Sequence, residues 1–351
     1  MAEETATRHL GLDLGATNLK WAVVAHPGDA WTTVATDQVS TDIVADPDAV
    51  PAAVVAQLAS VAVAVSLDCG PLRSVGIGVP GLYDPRTGRT RFLVNVPGPW
   101  AGHDVASPVA AAVGLPTCLI NDARAFGLAE LRLGAGRGVS SMIGLTLGTG
   151  VGGVFAVNGL VHQGHDGTAG EIGHQTIDPE GPMCGCGNRG CLEAYARADR
   201  IAAACGTATA EEAVRAAQAG DERARAGLAT IGRFLGIGIA NMIAVISPDV
   251  VIIGGGVAAA GELLFAPIRD ELARRVMTTS LADVALVQAE LGVWAGAIGA
   301  AVHGAEVAER AETAGRADAA GRAETTGRAD AAGRAETAGP AETAGPADAG
   351  R

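Results

Sequence analysis

The feature that most restricts the fold of this chain is a strand, glycine turn, strand unit that occurs twice. His9–Leu14 and Leu19–Ala25 are short apolar runs separated by Gly15-Ala-Thr17-Asn18, while Met142–Leu147 and Val154–Val157 flank Gly148-Thr149-Gly150-Val-Gly152-Gly153. Short apolar runs bounded by Gly, Asn and Asp read as strands joined by tight turns. A third run, Trp31–Thr36, makes the first copy a meander. Helices are expected over residues 48–65, 107–113 and 122–133, with strands at 74–79 and 117–120 between them. The second copy is followed by Ala-rich helices, a long apolar helix over 224–246, a strand over 249–253 and a last helix over about 293–308. An α/β chain with two similar halves and a cleft between them is the expected outcome.

The glycine turns carry chemistry as well as topology. Backbone amides exposed by the turn at Gly15, Thr17 and Asn18 form a concavity for an anion, the Thr17 hydroxyl can donate to a phosphate oxygen, and Asp13 can hold magnesium through water. Gly148, Thr149 and Gly150 occupy the equivalent place in the second half, and Gly254-Gly255-Gly256 follows the strand over 249–253. Together these suit the phosphates and adenosine of one nucleotide, although a glycine hairpin beside an Asp needs no ligand. The spacing of Gly148, Gly150 and Gly153 also satisfies the dinucleotide fingerprint, but that motif requires a helix next and Val154-Phe-Ala-Val-Asn-Gly reads as strand and turn. A P-loop is excluded because Lys20, the sole lysine, follows Leu19 rather than a glycine.

A second cluster lies between the second meander and the long helix. His174, Cys184, Cys186 and Cys191 can fill the four positions of a tetrahedral zinc and leave none for water, so the metal is expected to be structural. The alternatives are disulfides or buried thiols. The chain opens Met-Ala-Glu-Glu-Thr-Ala without a charged and apolar leader, so a reducing, cytoplasmic setting is expected and disulfides are not. Cys69, Cys118 and Cys205 read as ordinary small apolar residues. Glu171 and Glu193 bracket the cluster, so a metal that fixes this loop also fixes two acceptor side chains, an arrangement suited to a polyol.

A histidine ahead of Cys-Gly-Cys-Gly-X-X-Gly-Cys-X-Glu resembles the signature of the ROK family of bacterial sugar kinases and related repressors. The order of the glycine turns is similar to the actin, Hsp70 and hexokinase superfamily, and the likeness covers about residues 8–308. It implies an α/β fold of two similar actin/hexokinase-like (RNase H-like) domains with a cleft between them, plus a structural zinc loop. The domains expected are 8–122 with 294–308, and 123–293. It puts the catalytic carboxylate at Asp122, in Ile120-Asn121-Asp122-Ala-Arg, where the plainer reading is a helix N-cap. A sugar hydroxyl is a poor nucleophile, and a carboxylate poised against it can take its proton as the phosphoryl group transfers.

Sugar-binding positions implied by the resemblance are Asn95, Asn121, Asp122, Glu171, His174 and Glu193; for Glu193 a first-turn acid favoured by the helix dipole is the alternative. The chain has an extra proline before Trp100 relative to the commonest family form. The implied cofactors are structural Zn2+ and Mg2+ with ATP. The implied activity is phosphorylation of glucose at O6, as in a glucokinase, with fructose, mannose, allose or an N-acylhexosamine as alternative substrates and polyphosphate as an alternative donor. A sugar-responsive repressor of the same family carries a helix-turn-helix ahead of the sugar domain, whereas the first core strand here starts near His9. A homo-oligomer, dimer or tetramer, is expected.

A net charge of −13 argues against nucleic acid or an anionic membrane as partner. No apolar run reaches bilayer length, the nearest being Ala52–Val65, which holds Gln57 and Ser60. From about residue 305 the chain turns into hexapeptides such as Ala-Glu-Thr-Ala-Gly-Arg, which have nothing large and apolar to bury, so residues 309–351 are expected to be a disordered tail.

Overall fold

Two runs of apolar residues interrupted by a glycine turn become hairpins because each buries one set of side chains while the turn closes on itself. A computed structural model describes residues 6–26 and 30–314. Its first half contains β1 (Thr7–Leu14), β2 (Asn18–His26), β3 (Thr32–Ser40), α1 (Val50–Asp68), β4 (Leu72–Val79), the hairpin β5 (Gly81–Asp84) and β6 (Arg89–Leu93), α2 (Ala106–Val113), β7 (Thr117–Asn121) and α3 (Asp122–Arg132). The second half contains β8 (Met142–Leu147), β9 (Val151–Val157), β10 (Leu160–Val161), α4 (Glu193–Ala196), α5 (Ala198–Cys205), α6 (Ala210–Gln218), α7 (Glu222–Ile246), β11 (Val250–Gly254), α8 (Glu262–Arg275) and β12 (Ala285–Gln288).

The two main sheets repeat one topology. Their strand orders are β3-β2-β1-β4-β7 and β10-β9-β8-β11-β12. In each, an antiparallel three-stranded meander is extended by two parallel strands on the side of its first strand. The chemistry-bearing segments then collect at one end: both glycine hairpins, Asp122 after β7 and Gly254–Gly256 at the end of β11. The crevice outside the carboxyl ends of parallel strands is where open α/β sheets bind ligands.

Three apolar clusters set the layers. Leu10, Leu12, Leu14 and Ile77 of the first sheet pack with Val54, Leu58 and Val109 of α1 and α2. Ile143, Leu145 and Ile253 of the second sheet pack with α5 to α8 through Ile201, Leu228, Leu235 and Ile268. Between the sheets, Ala22 and Ile120 on one side and Val154 and Ile252 on the other enclose α3 and a closing helix that begins at residue 295. That helix approaches the first sheet so closely that a Cβ on Gly11 would lie 1.8 Å from the Ala297 carbonyl oxygen. Truncating a buried leucine of these layers is expected to cost ~2–5 kcal/mol.

Contrary to the sequence expectation, α1 and α7 are both long and apolar enough to cross a membrane, with mean hydropathy 2.0 and 1.7 over their best windows. In this fold one face of each is buried, while Leu67 and Val245 remain exposed. Val50, Val54, Leu58, Ala62 and Val65 of α1 are buried, as are Leu228, Ile231, Leu235, Ile239 and Ile243 of α7. The compact unit that carries the two sheets ends at Glu306, and residues 307–351 form a second unit, of which 307–314 are helical. The expected disordered tail, 309–351, therefore falls on described helix as far as residue 314, and its repeats beyond that point lie outside the described residues.

Candidate active site

Each glycine turn is closed by its own backbone. The Gly15 amide donates to the Asn18 carbonyl at 3.0 Å, and the Gly148 amide to the Gly150 carbonyl at 3.0 Å. The Thr41 hydroxyl, on the residue after β3, donates to the Gly15 carbonyl at 2.6 Å and braces the first turn. Both turns face one cleft of about 1120 Å3, whose wall includes Asp13, Gly15, Thr17 and Asn18 from the first half, and Gly148, Thr149, Gly150 and Gly254–Gly256 from the second.

The same cleft receives Asn95, Asn121, Asp122, Glu171 and His174. Asn95 follows β6 with φ 64°, in the left-handed region that Asn tolerates. Its loop is held by Trp100, which is 2% exposed and whose Nε1 donates to the Val96 and Pro97 carbonyls at 3.1 and 2.9 Å. The additional proline is thus accommodated in an exposed loop between Asn95 and a fixed indole.

Asp122 is the first residue of α3, but the N-cap is Asn121. The Asn121 Oδ1 accepts from the Ala123 and Arg124 amides at 3.1 and 3.2 Å, and its Nδ2 donates to the Gly81 carbonyl at 3.0 Å and to Asp122 Oδ1 at 2.9 Å. Asp122 Oδ1 also accepts from the Ala123 amide at 2.8 Å. Burial at the cleft floor, helped by the charges of Asp13 and Glu171, pushes the Asp122 carboxyl up to about 7, while the Ala123 amide and Arg124 pull the other way. Asp13 is raised by the same burial, opposed by Lys20, its cross-strand partner between β1 and β2.

The histidine and cysteines converge. His174, Cys184, Cys186 and Cys191 each offer one ligand atom, all within 4.8 Å of one another. The Cys186 and Cys191 sulfurs are 3.7 Å apart, and Cys184 Sγ is 3.7 Å from His174 Nδ1. A zinc tetrahedron with Zn–S bonds of about 2.3 Å has S···S edges of about 3.8 Å, which the two 3.7 Å contacts match. With Nδ1 turned to the sulfurs, His174 still lines the cleft, so one imidazole borders both the cluster and the cavity.

Glu193 departs from the expected placement. It is a first-turn acid of α4, and it does not line the cleft. Its Oε2 accepts from the Val151 amide at 3.0 Å, and Cys184 Sγ lies 3.6 Å from its Oε1. Three further residues carry no motif of their own. Arg124, 2% exposed, donates through Nε and Nη2 to the Ala169 carbonyl at 3.1 and 2.7 Å and meets Glu171 Oε1 at 3.3 Å, which orients that carboxylate. Lys20 and Arg197 both line the cleft. The signal for Arg124 was its place one turn after Asn121, on the helix that Asp122 begins.

The model for the family described as ROK matches residues 9–305. The chain belongs to the ROK family. It is 34% identical over 311 residues to the glucokinase of Thermotoga maritima, a match covering 83% of this chain and 95% of that protein. Among solved structures of the family, the ROK hexokinase from Thermus thermophilus superposes with a TM-score of 0.75 at 33% identity, over 87% of this chain and 100% of that one. A ROK family glucokinase from Streptomyces griseus, solved with glucose and AMPPNP, gives a TM-score of 0.71 at 30% identity, over 86% of this chain and 99% of that one.

Proposed function

We propose that this ROK protein is an ATP-dependent hexose kinase, a glucokinase that phosphorylates glucose at O6. The observation that carries the reading is Asp122: a carboxyl at the floor of a cleft shared with two glycine turns, raised to about 7 and so able to exchange a proton near neutral pH. The glucokinases and the hexokinase to which the chain is similar, one of them holding glucose and an ATP analogue, support the same substrate pair.

In this mechanism the glycine turns of residues 15–18 and 148–150 offer backbone amides to the phosphates of ATP, and Asn95, Glu171 and His174 meet the sugar hydroxyls. Asp122 Oδ1 is already committed to Asn121 and Ala123, so Oδ2 is the oxygen that takes the O6 proton. As that proton leaves, O6 bonds to the γ-phosphorus, the bond from that phosphorus to the bridging oxygen breaks, and ADP departs with the electron pair. The domains proposed, 8–122 with 294–308 and 123–293, would close over both substrates and exclude water that competes for the phosphoryl group.

Two metals fit this reading. Magnesium arriving with ATP would neutralise phosphate charge, and Asp13 is the residue to hold it, a buried carboxyl beside the first turn. Zinc on His174, Cys184, Cys186 and Cys191 would fix the loop that presents Glu171 and His174. A cytoplasmic, homo-oligomeric enzyme is part of the same proposal.

A coupled assay of the purified protein over glucose, mannose, fructose, allose and an N-acylhexosamine, with ATP and polyphosphate as donors, tests it. Glucose with ATP should give the highest kcat/KM, 2-deoxyglucose should be much poorer, and 6-deoxyglucose should bind without reacting. A site built to bond a hydroxyl can reject an analogue lacking it by ~10⁴. Higher kcat/KM for another hexose would keep the kinase and replace the sugar.

A further inference from the structure

The turn at Gly148–Gly150 is held from behind by the segment that follows Cys191. Glu193 Oε2 accepts the Val151 amide at 3.0 Å on one flank, and the Ala198 amide donates to the Gly148 carbonyl at 2.9 Å on the other. Space on the Glu193 side is tight, since a Cβ on Gly150 would lie 2.4 Å from Glu193 Oε2. The other carboxylate oxygen lies 3.6 Å from Cys184 Sγ, within the cysteine cluster. One side chain therefore touches the cysteine loop with one oxygen and the nucleotide-facing turn with the other.

From this geometry we infer that Glu193 is a positioning residue for the nucleotide. By fixing the Val151 amide it sets the curvature of the turn, and so the direction of the amides that meet phosphate. The inference rests on the kinase reading. It differs from the sugar-binding role that family resemblance implies for this position, because a sugar ligand alone would leave the nucleotide untouched.

The test separates the two substrates. Equilibrium binding of AMPPNP and of glucose is measured by calorimetry on the full chain for the wild type, Glu193→Ala, Glu193→Gln and Ala198→Pro. A hydrogen bond from an amide to a carboxylate is lost in Glu193→Ala, so AMPPNP affinity should fall about tenfold or more. Glu193→Gln keeps an acceptor for the Val151 amide and should recover most of it. Ala198→Pro removes only the amide that holds Gly148. Proline suits this position because Ala198 is the first residue of α5 and Arg197 before it is extended, with φ −75° and ψ 160°. This variant leaves Glu193 intact, should weaken AMPPNP about threefold or more, and should leave glucose affinity within about twofold. If Glu193→Ala fails to fold, Glu193→Asp, whose shorter side chain draws the acceptor back from the Val151 amide, is measured in its place and should also weaken AMPPNP. AMPPNP affinity within twofold of wild type in both Glu193→Ala and Ala198→Pro would overturn the inference. A wild type that binds glucose or AMPPNP but phosphorylates no hexose would instead remove the kinase reading.

Discussion

Asn121 and Asp122 divide between them two tasks that one residue at a helix start could have combined. Asn121 Oδ1 takes the first amides of α3, while its Nδ2 holds Asp122 Oδ1 at 2.9 Å. Asp122 Oδ1 shares only the Ala123 amide, at 2.8 Å, and its second oxygen is available to the cleft. The fold needs a polar cap at this point, and the Asn121 carboxamide supplies it.

Asn121→Ala should therefore cost both stability and rate. Loss of an N-cap costs ~1 kcal/mol, and the Gly81 carbonyl also loses its donor. Asn121→Asp restores the cap but places a like charge beside Asp122 and removes the donor that orients it. Thermal melts should show Asn121→Asp closer to wild type than Asn121→Ala, with kcat reduced about tenfold or more in both. Normal kcat in Asn121→Asp would show that Asp122 needs no orientation.

The raised Asp122 carboxyl gives a pH dependence with a definite sign. Its folded value of about 7 lies above the ordinary carboxylate range, so the folded protein keeps a proton that the unfolded chain releases at about pH 4. Stability from this group is complete below that range and is lost as pH rises to about 7. Asp122→Asn should then melt above wild type at pH 8 and close to it at pH 4, with a gain of roughly 2–4 °C for each kcal/mol released. The free-enzyme kcat/KM should rise with pH and level off above about 7, since the base must be ionised. A profile flat from pH 5 to 8 would contradict this.

Much of this site was legible in the sequence because its parts are local. The glycine turns announce themselves between apolar strands, and His174 and three cysteines lie within one short stretch. What stayed hidden depends on long-range placement. The β5–β6 hairpin runs through Pro85, Arg86, Gly88, Arg89 and Arg91 without apolar alternation, and it bulges where Leu82 pairs with Phe92 and Tyr83 with Thr90. Strand β12 is four residues long and is defined by its parallel pairing to β11. The bond of Glu193 to the Val151 amide, 42 positions away, has no local signal either. Arg124 gave no sign that it would be buried, since nothing local marks Ala169 and Glu171 as its partners.

Zinc is testable without any assay of activity. Protein purified without chelator should hold about one zinc per chain, and Cys184→Ser or Cys186→Ser should lose it, because a tetrahedral structural site has no spare ligand. Elemental analysis that finds no zinc in the wild type would remove the metal from the account.

The central claim is that Asp122 accepts the proton of the hydroxyl that is phosphorylated. Steady-state kinetics of wild type and Asp122→Asn with glucose and ATP test it most directly, because the amide keeps the size of the side chain and cannot take a proton. The account predicts a kcat lower by ~10²–10⁴ in the variant, with glucose binding largely retained. A near-normal kcat in Asp122→Asn would contradict it.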